Sequence, residues 1–145
     1  MKIILLSFFI SLPTLAGFNG RYSGKGLAVF HSGNRYECSE IFLRLKTNAT
    51  EFQLKDGGYN CGFLKASFEA FKLTIRNGKL YHKEQELGSI TQNEIKYSVY
   101  DPEDGSTYFL TLKLNDSREI FYEERWYDGQ KWALTLKGNL LPLSE

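Results

Sequence analysis

The stretch EERWYDGQKWALTL, residues 123–136, holds two alternating segments around an Asp-Gly pair, and the length of its turn decides which side chains share a face. A two-residue turn at Asp128-Gly129 would set Arg125 opposite Trp132 and Glu123 opposite Leu134, burying two charges on the apolar face of the last strand. A three-residue loop, Tyr127-Asp128-Gly129, with Gly129 in the left-handed position of a G1 bulge, shifts every partner by one. Ile120, Tyr122, Glu124 and Trp126 then share a face with Trp132, Leu134 and Leu136, while Glu123, Arg125, Lys131, Thr135 and Lys137 take the other. A one-residue slip exchanges the faces entirely, so the apolar pattern selects the second register. Glu124 is therefore expected to be an inward carboxylate beside Trp132.

The same alternation runs backwards from this hairpin. Ile95, Tyr97 and Val99 are inward and pair with Tyr108, Leu110 and Leu112, which pair in turn with Ile120 to Trp126 as an antiparallel meander. At the other end, NGRYSGKGLAVF (residues 19–30) places Arg21, Ser23 and Lys25 on one face and Tyr22, Gly24, Gly26, Ala28 and Phe30 on the other. Small residues inside a strand allow sharp coiling or leave a void. Strands are read near residues 20–30, 35–46, 50–56, 59–63, 70–76, 79–84, 86–91, 94–100, 106–114, 118–126 and 130–138, with some of these expected to merge. One stretch departs from period two: LKASFEAF, residues 64–71, spaces Leu64, Phe68 and Phe71 as a helical turn would, and a short helix near 64–70 or a bulge are both open. The expected fold is all-β: an antiparallel up-and-down β-barrel of about 8–10 strands whose last strand, near Trp132, closes onto the first.

The chain has 145 residues. It begins MKIILLSFFISLPTLA: Lys2, an apolar run from Ile3 to Ile10 broken only by Ser7, then Thr14-Leu15-Ala16. That is the pattern of a secretory signal peptide, too short and wrongly flanked for a membrane span. Residues 1–16 are assigned to it and 17–145 to a single barrel domain, in a secreted or periplasmic protein. The formal charge of +1, less Lys2, leaves zero, with no run of like charge. Nothing here provides an electrostatic footprint for nucleic acid. Cys38 and Cys61 are the only two cysteines, and in an exported chain a disulfide between them is the expectation. It would stabilise by roughly 3 kcal/mol in the chain-entropy account.

Two family resemblances attach to these residues. Gly20-Arg21-Tyr22 followed by Gly24 and Gly26 resembles the G-x-W strand that opens many calycins (lipocalins, avidins, fatty-acid-binding proteins), with Tyr22 where those usually carry Trp. The opening Gly-x-aromatic strand, then Cys38, an alternating strand pair and Cys61 after a Gly turn, is also similar to the small eight-stranded barrels of bacterial periplasmic protease inhibitors. That second resemblance implies blocking by an extended N-terminus, although only Gly17 to Asn19 precede the first strand.

Candidates for chemistry are sparse. In TIRNGKLYHKE, Asn77-Gly78 signals a two-residue hairpin. That register sets Ile75 opposite Leu80, Leu73 opposite His82 and Phe71 opposite Glu84, all inward; a three-residue loop would send His82 and Glu84 outside. Glu123-Glu124 cannot act as a facing acid pair, because neighbours on a strand point oppositely. No nucleophile motif occurs, and His31 and His82 lack metal-ligand spacing. The chain is therefore read as non-enzymatic, with no metal and no cofactor. A small-molecule ligand is expected in the barrel interior, lined by Tyr22, Tyr97, Tyr108, Tyr122, Trp126, Trp132 and His82, with Glu124 fixing a polar group. The alternative is a protein-interaction module or protease inhibitor acting through its surface or N-terminus. Outward Tyr100, Phe109, Phe121 and Tyr127 would supply an apolar stripe for a protein partner.

Overall fold

The computed structural model describes residues 17–144, so the expected leader at residues 1–16 lies outside the described residues. Eleven antiparallel strands form one sheet, in which all but one join a closed ring. They are β1 (Gly20–Phe30), β2 (Arg35–Thr47), β3 (Glu51–Cys61), β4 (Leu64–Ser67), β5 (Phe71–Arg76), β6 (Lys79–His82), β7 (Gln85–Ile90), β8 (Glu94–Asp101), β9 (Ser106–Leu114), β10 (Ile120–Asp128) and β11 (Lys131–Leu143). Ring neighbours follow chain order from β1 to β3 and from β5 to β11, and β11 closes on β1 with Phe30 opposite Leu134 and Ala28 opposite Leu136. The barrel expectation is met, closing strand included.

The strand β3 gives the ring its one irregularity. Its first half pairs with β5, Leu54 opposite Phe71, while its second half pairs with β4, Tyr59 opposite Ala66. The two segments read separately at 50–56 and 59–63 are thus one strand, and the residues read as a possible helix instead begin with β4 and continue as the irregular link Phe68 to Ala70. No helix is present among the described residues. Extended backbone wins because β4 has a template. Gly62 at φ 80° turns the chain back with Cys61 opposite Leu64, and β4 lies against backbone that carries no side chain: a Cβ at Gly58 would sit 2.3 Å from the Ala66 carbonyl oxygen.

The meander pairs as its alternation requires: Ile95 with Leu112, Tyr97 with Leu110 and Val99 with Tyr108, then Leu112 with Tyr122, Leu110 with Glu124 and Tyr108 with Trp126. The β10–β11 turn differs from the expected three-residue loop. Asp128 faces Lys131 across Gly129-Gln130, with Gly129 at φ 61°, and a bulge follows in which Trp126 faces Leu134 but Tyr127 faces Trp132. The bulge keeps Leu134 and Leu136 inward and turns Trp132 to the outer face beside Tyr127. There its indole nitrogen donates to Thr135 Oγ1 at 2.8 Å, and its ring meets His31 edge-on. Trp132 is not beside Glu124.

Interior residues from every strand of the ring form the core, and one end of the barrel is closed by the segment before β1. Phe18 is 1% exposed, and its carbonyl accepts the Thr47 hydroxyl at 2.9 Å; the Asn19 carbonyl accepts the Tyr22 hydroxyl at 3.0 Å. Near the opposite end, Cys38 of β2 and Cys61 of β3 form the expected disulfide, both buried.

Candidate functional site

Towards the middle of the ring the interior is not filled. A cavity of about 340 Å³ lies among Leu43, Leu45, Phe52, Leu54, Leu110 and Leu112, with Tyr97, Tyr108, Tyr122 and Glu124 on one side and the β4–β5 link on the other. The exposed residues Ser67 and Glu69 stand on its outer rim. The sequence explains the placement. Period-two alternation brings Tyr97, Leu110 and Glu124 to adjacent inward positions across three strands, and β4, which has no partner beyond β3, leaves the wall on the other side incomplete.

Glu124 is the single buried carboxylate among the described residues, at 8% exposure. Its Oε2 accepts the Tyr122 hydroxyl at 2.5 Å and its Oε1 accepts the Trp126 indole N–H at 2.7 Å. Burial raises its pKa above the ordinary carboxylate range, and the two donated hydrogen bonds resist that rise. The field of this carboxylate reaches the neighbouring phenols. Burial chiefly, then the charge of Glu124, pushes Tyr97 and Tyr59 upward; Tyr122 is pushed well up for the same reasons and by its hydrogen bond. The Tyr97 hydroxyl has no hydrogen-bond partner among the described residues, and its ring packs on Phe52 and Phe71. Tyr108 reaches the barrel's end, where its hydroxyl donates to Asp104 Oδ2 at 2.8 Å and its ring meets Trp126 edge-on.

Of the residues expected to line the interior, Tyr97, Tyr108, Tyr122 and Glu124 do so, and Trp126 adjoins them through Glu124. Tyr22 points inward but belongs to the closed end with Phe18, away from the cavity lining. Trp132 is on the outer face. His82 is exposed, as is Glu84. The Asn77-Gly78 turn forms as expected, with Ile75 opposite Leu80, but the β5–β6 pairing ends at Thr74 and Tyr81. Beyond that point His82 enters a second tight turn with Lys83 at φ 55°, and neither residue is carried inward. Phe71, read as inward, does line the cavity, whereas sequence reasoning did not place Phe68 there or Tyr59 behind it. Tyr59 is inward at 4% exposure and packs edge-on against Phe68 of the link.

The carboxylate is held by two neutral donors, the other carboxylate of the lining, Glu69, is exposed at the rim, and the described residues hold no cluster of three or more His, Cys, Asp or Glu suited to a metal ion. On the outside, Phe109 and Tyr127 meet edge-on and share a shallow groove with Phe121, Lys96, Lys113 and Arg125, while Tyr100, 63% exposed, lies outside that groove. The disulfide is compatible with an extracellular location; among the described residues no helix is long and apolar enough to cross a membrane.

No protein-family model matches the chain, and no curated protein matches it. Among solved structures, a redesigned β-barrel is similar at 12% identity, over 90% of this chain and 95% of that one, with a TM-score of 0.47. The closed sheet of this chain is established by its own strand pairing.

Proposed function

We propose that this chain is an exported, calycin-like barrel that binds a small molecule in its interior without turning it over. The observation that carries the reading is the apolar cavity with two convergent polar features, the Glu124 carboxylate and the unpartnered Tyr97 hydroxyl. Its volume of about 340 Å³ falls at the lower end of the range for small-molecule sites. An apolar body would lie on the Leu and Phe walls, and a polar group would reach Glu124, whose remaining lone pairs can accept a further donor. Export rests on the leader pattern at residues 1–16 and on the disulfide.

A protein partner remains the second reading, favoured by Tyr100 and Phe109, which are 63% and 45% exposed on the outer face. Its N-terminal version has less support, because Phe18 and Asn19 are built into the closed end rather than extended from it.

Native mass spectrometry of protein purified from its own compartment, with tryptophan fluorescence before and after mild extraction, tests the proposal. A retained small mass whose removal changes the emission of Trp126 is expected. A bare chain whose emission is unaltered by extraction, and which takes up no hydrophobic probe, would refute an interior ligand and direct attention to the outer face.

A further inference from the structure

Resting on the interior-binding reading, we infer that the ligand carries a protonated amine on an apolar body, with the ammonium seated between Glu124 and the Tyr97 hydroxyl. The cavity lining contains two acidic side chains, Glu124 inside and Glu69 at the rim, and no Lys, Arg or His. An ammonium satisfies what this lining leaves open: it offers up to three donors and no acceptor, Glu124 retains acceptor capacity beyond the bonds from Tyr122 and Trp126, and the Tyr97 oxygen is free to accept. The aromatic rings of Tyr97 and Tyr122 in the lining add the negative quadrupole that favours a cation over a neutral group. A carboxylate or phosphate head would instead bring a second negative charge beside a buried one, with no cation in the lining to offset it.

Three probes with one body and different heads separate this inference from the reading beneath it: phenylbutylamine, phenylbutanol and phenylbutyrate, titrated at neutral pH into the disulfide-bonded protein by calorimetry and tryptophan emission. The amine is expected to bind on the order of tenfold or more tightly than the alcohol, and the acid least. Glu124→Gln should erase the preference for the amine while the alcohol still binds, and Tyr97→Phe, which keeps its ring packing, should cost the amine about three- to tenfold. Equal or tighter binding of the alcohol or the acid would overturn the amine assignment and leave an interior site standing. Binding of none of the three would overturn both. A calorimetric site that survives Glu124→Gln with its amine preference intact would place the ammonium elsewhere and also refute the inference.

Discussion

Replacing Tyr122 by Phe removes one oxygen atom and leaves a buried ring in place, so it measures what the phenol does for Glu124. In the folded barrel that hydroxyl donates to Glu124 Oε2 at 2.5 Å, and both side chains are buried. A hydrogen bond to an ionised group is worth about 1.5–3 kcal/mol and one between neutral groups about 0.5–1.5 kcal/mol. The loss should therefore depend on pH. Burial raises the Glu124 pKa, which makes the folded state hold the proton more tightly than the unfolded one. The associated stability is fully present below the unfolded carboxyl pKa and is lost as pH rises through the folded value. Taking away the phenol removes one of the two bonds that oppose the rise, so the variant's carboxyl moves further up and its stability falls more steeply with pH. At pH 8 the expected cost is about 2 kcal/mol, and near pH 4 about 1 kcal/mol. Urea unfolding reads this directly: with a slope of roughly 2 kcal/mol per molar, the midpoint should drop by about 1 M at the higher pH and about half that at the lower, with the slope unchanged. A cost that is equal at the two pH values, or larger in acid, would refute the reasoning. So would a cost that persists in full when Glu124→Gln is already present, because the two side chains would then not be coupled.

Other expectations follow from particular contacts. A side chain at Gly26 would begin 2.4 Å from both Ile41 Cδ1 and the Lys137 carbonyl oxygen, so Gly26→Val should cost about 3 kcal/mol or more in chemical denaturation, whereas a value under about 1 kcal/mol would show that β1 and β11 can separate there. Replacing both Cys38 and Cys61 by Ser should lower stability by roughly 3 kcal/mol, read against the oxidised protein under the same conditions. Trp126→Phe should abolish any ligand-dependent emission change, while Trp132→Phe leaves it intact; the reverse result would contradict the outward position of Trp132. His82→Ala, at an exposed turn, should move stability by less than about 0.5 kcal/mol and leave probe binding unaltered in calorimetry.

Where one face of a strand is buried, period two alone specified the pairing. From Glu94 to Trp126 the alternation of Ile95, Tyr97, Leu110, Leu112, Tyr122 and Glu124 admits one set of faces, and the strands took it. Asn77-Gly78 and the two cysteines were equally legible, because each encodes a local geometry or a covalent bond. The illegible parts share a cause: a residue count changed by a bulge or a close approach, which apolar pattern cannot sense. Ala133 fits either count in the last hairpin, so the bulge that turns Trp132 outward left no mark in the sequence. Gly57-Gly58 read as a break between strands. In the fold these glycines let another segment approach β3, a Cβ at Gly57 falling 2.8 Å from the Phe68 ring, and the strand runs through them to Tyr59. Leu64, Phe68 and Phe71 satisfy a helical spacing as well as a strand followed by a link, and only a long-range partner, the second half of β3, decides between them. The candidate site suffered most from this, since Ser67, Phe68 and Glu69 of its wall come from that link and the strand before it.

The pairing of β1 with β11 has a kinetic consequence. Arg21 faces Leu143 and Phe30 faces Leu134, so the ring is completed by contacts between opposite ends of the described chain. Such non-local pairings place folding in the millisecond-to-second regime of barrels rather than the microsecond regime of local structures. Until β11 arrives, β1 and β10 each present an open edge of backbone donors and acceptors, the template on which chains associate with one another. The barrel therefore has no half-built resting state. A chain cut short before residue 131 is expected to aggregate rather than to persist as a smaller domain, because β11 alone covers both of those edges.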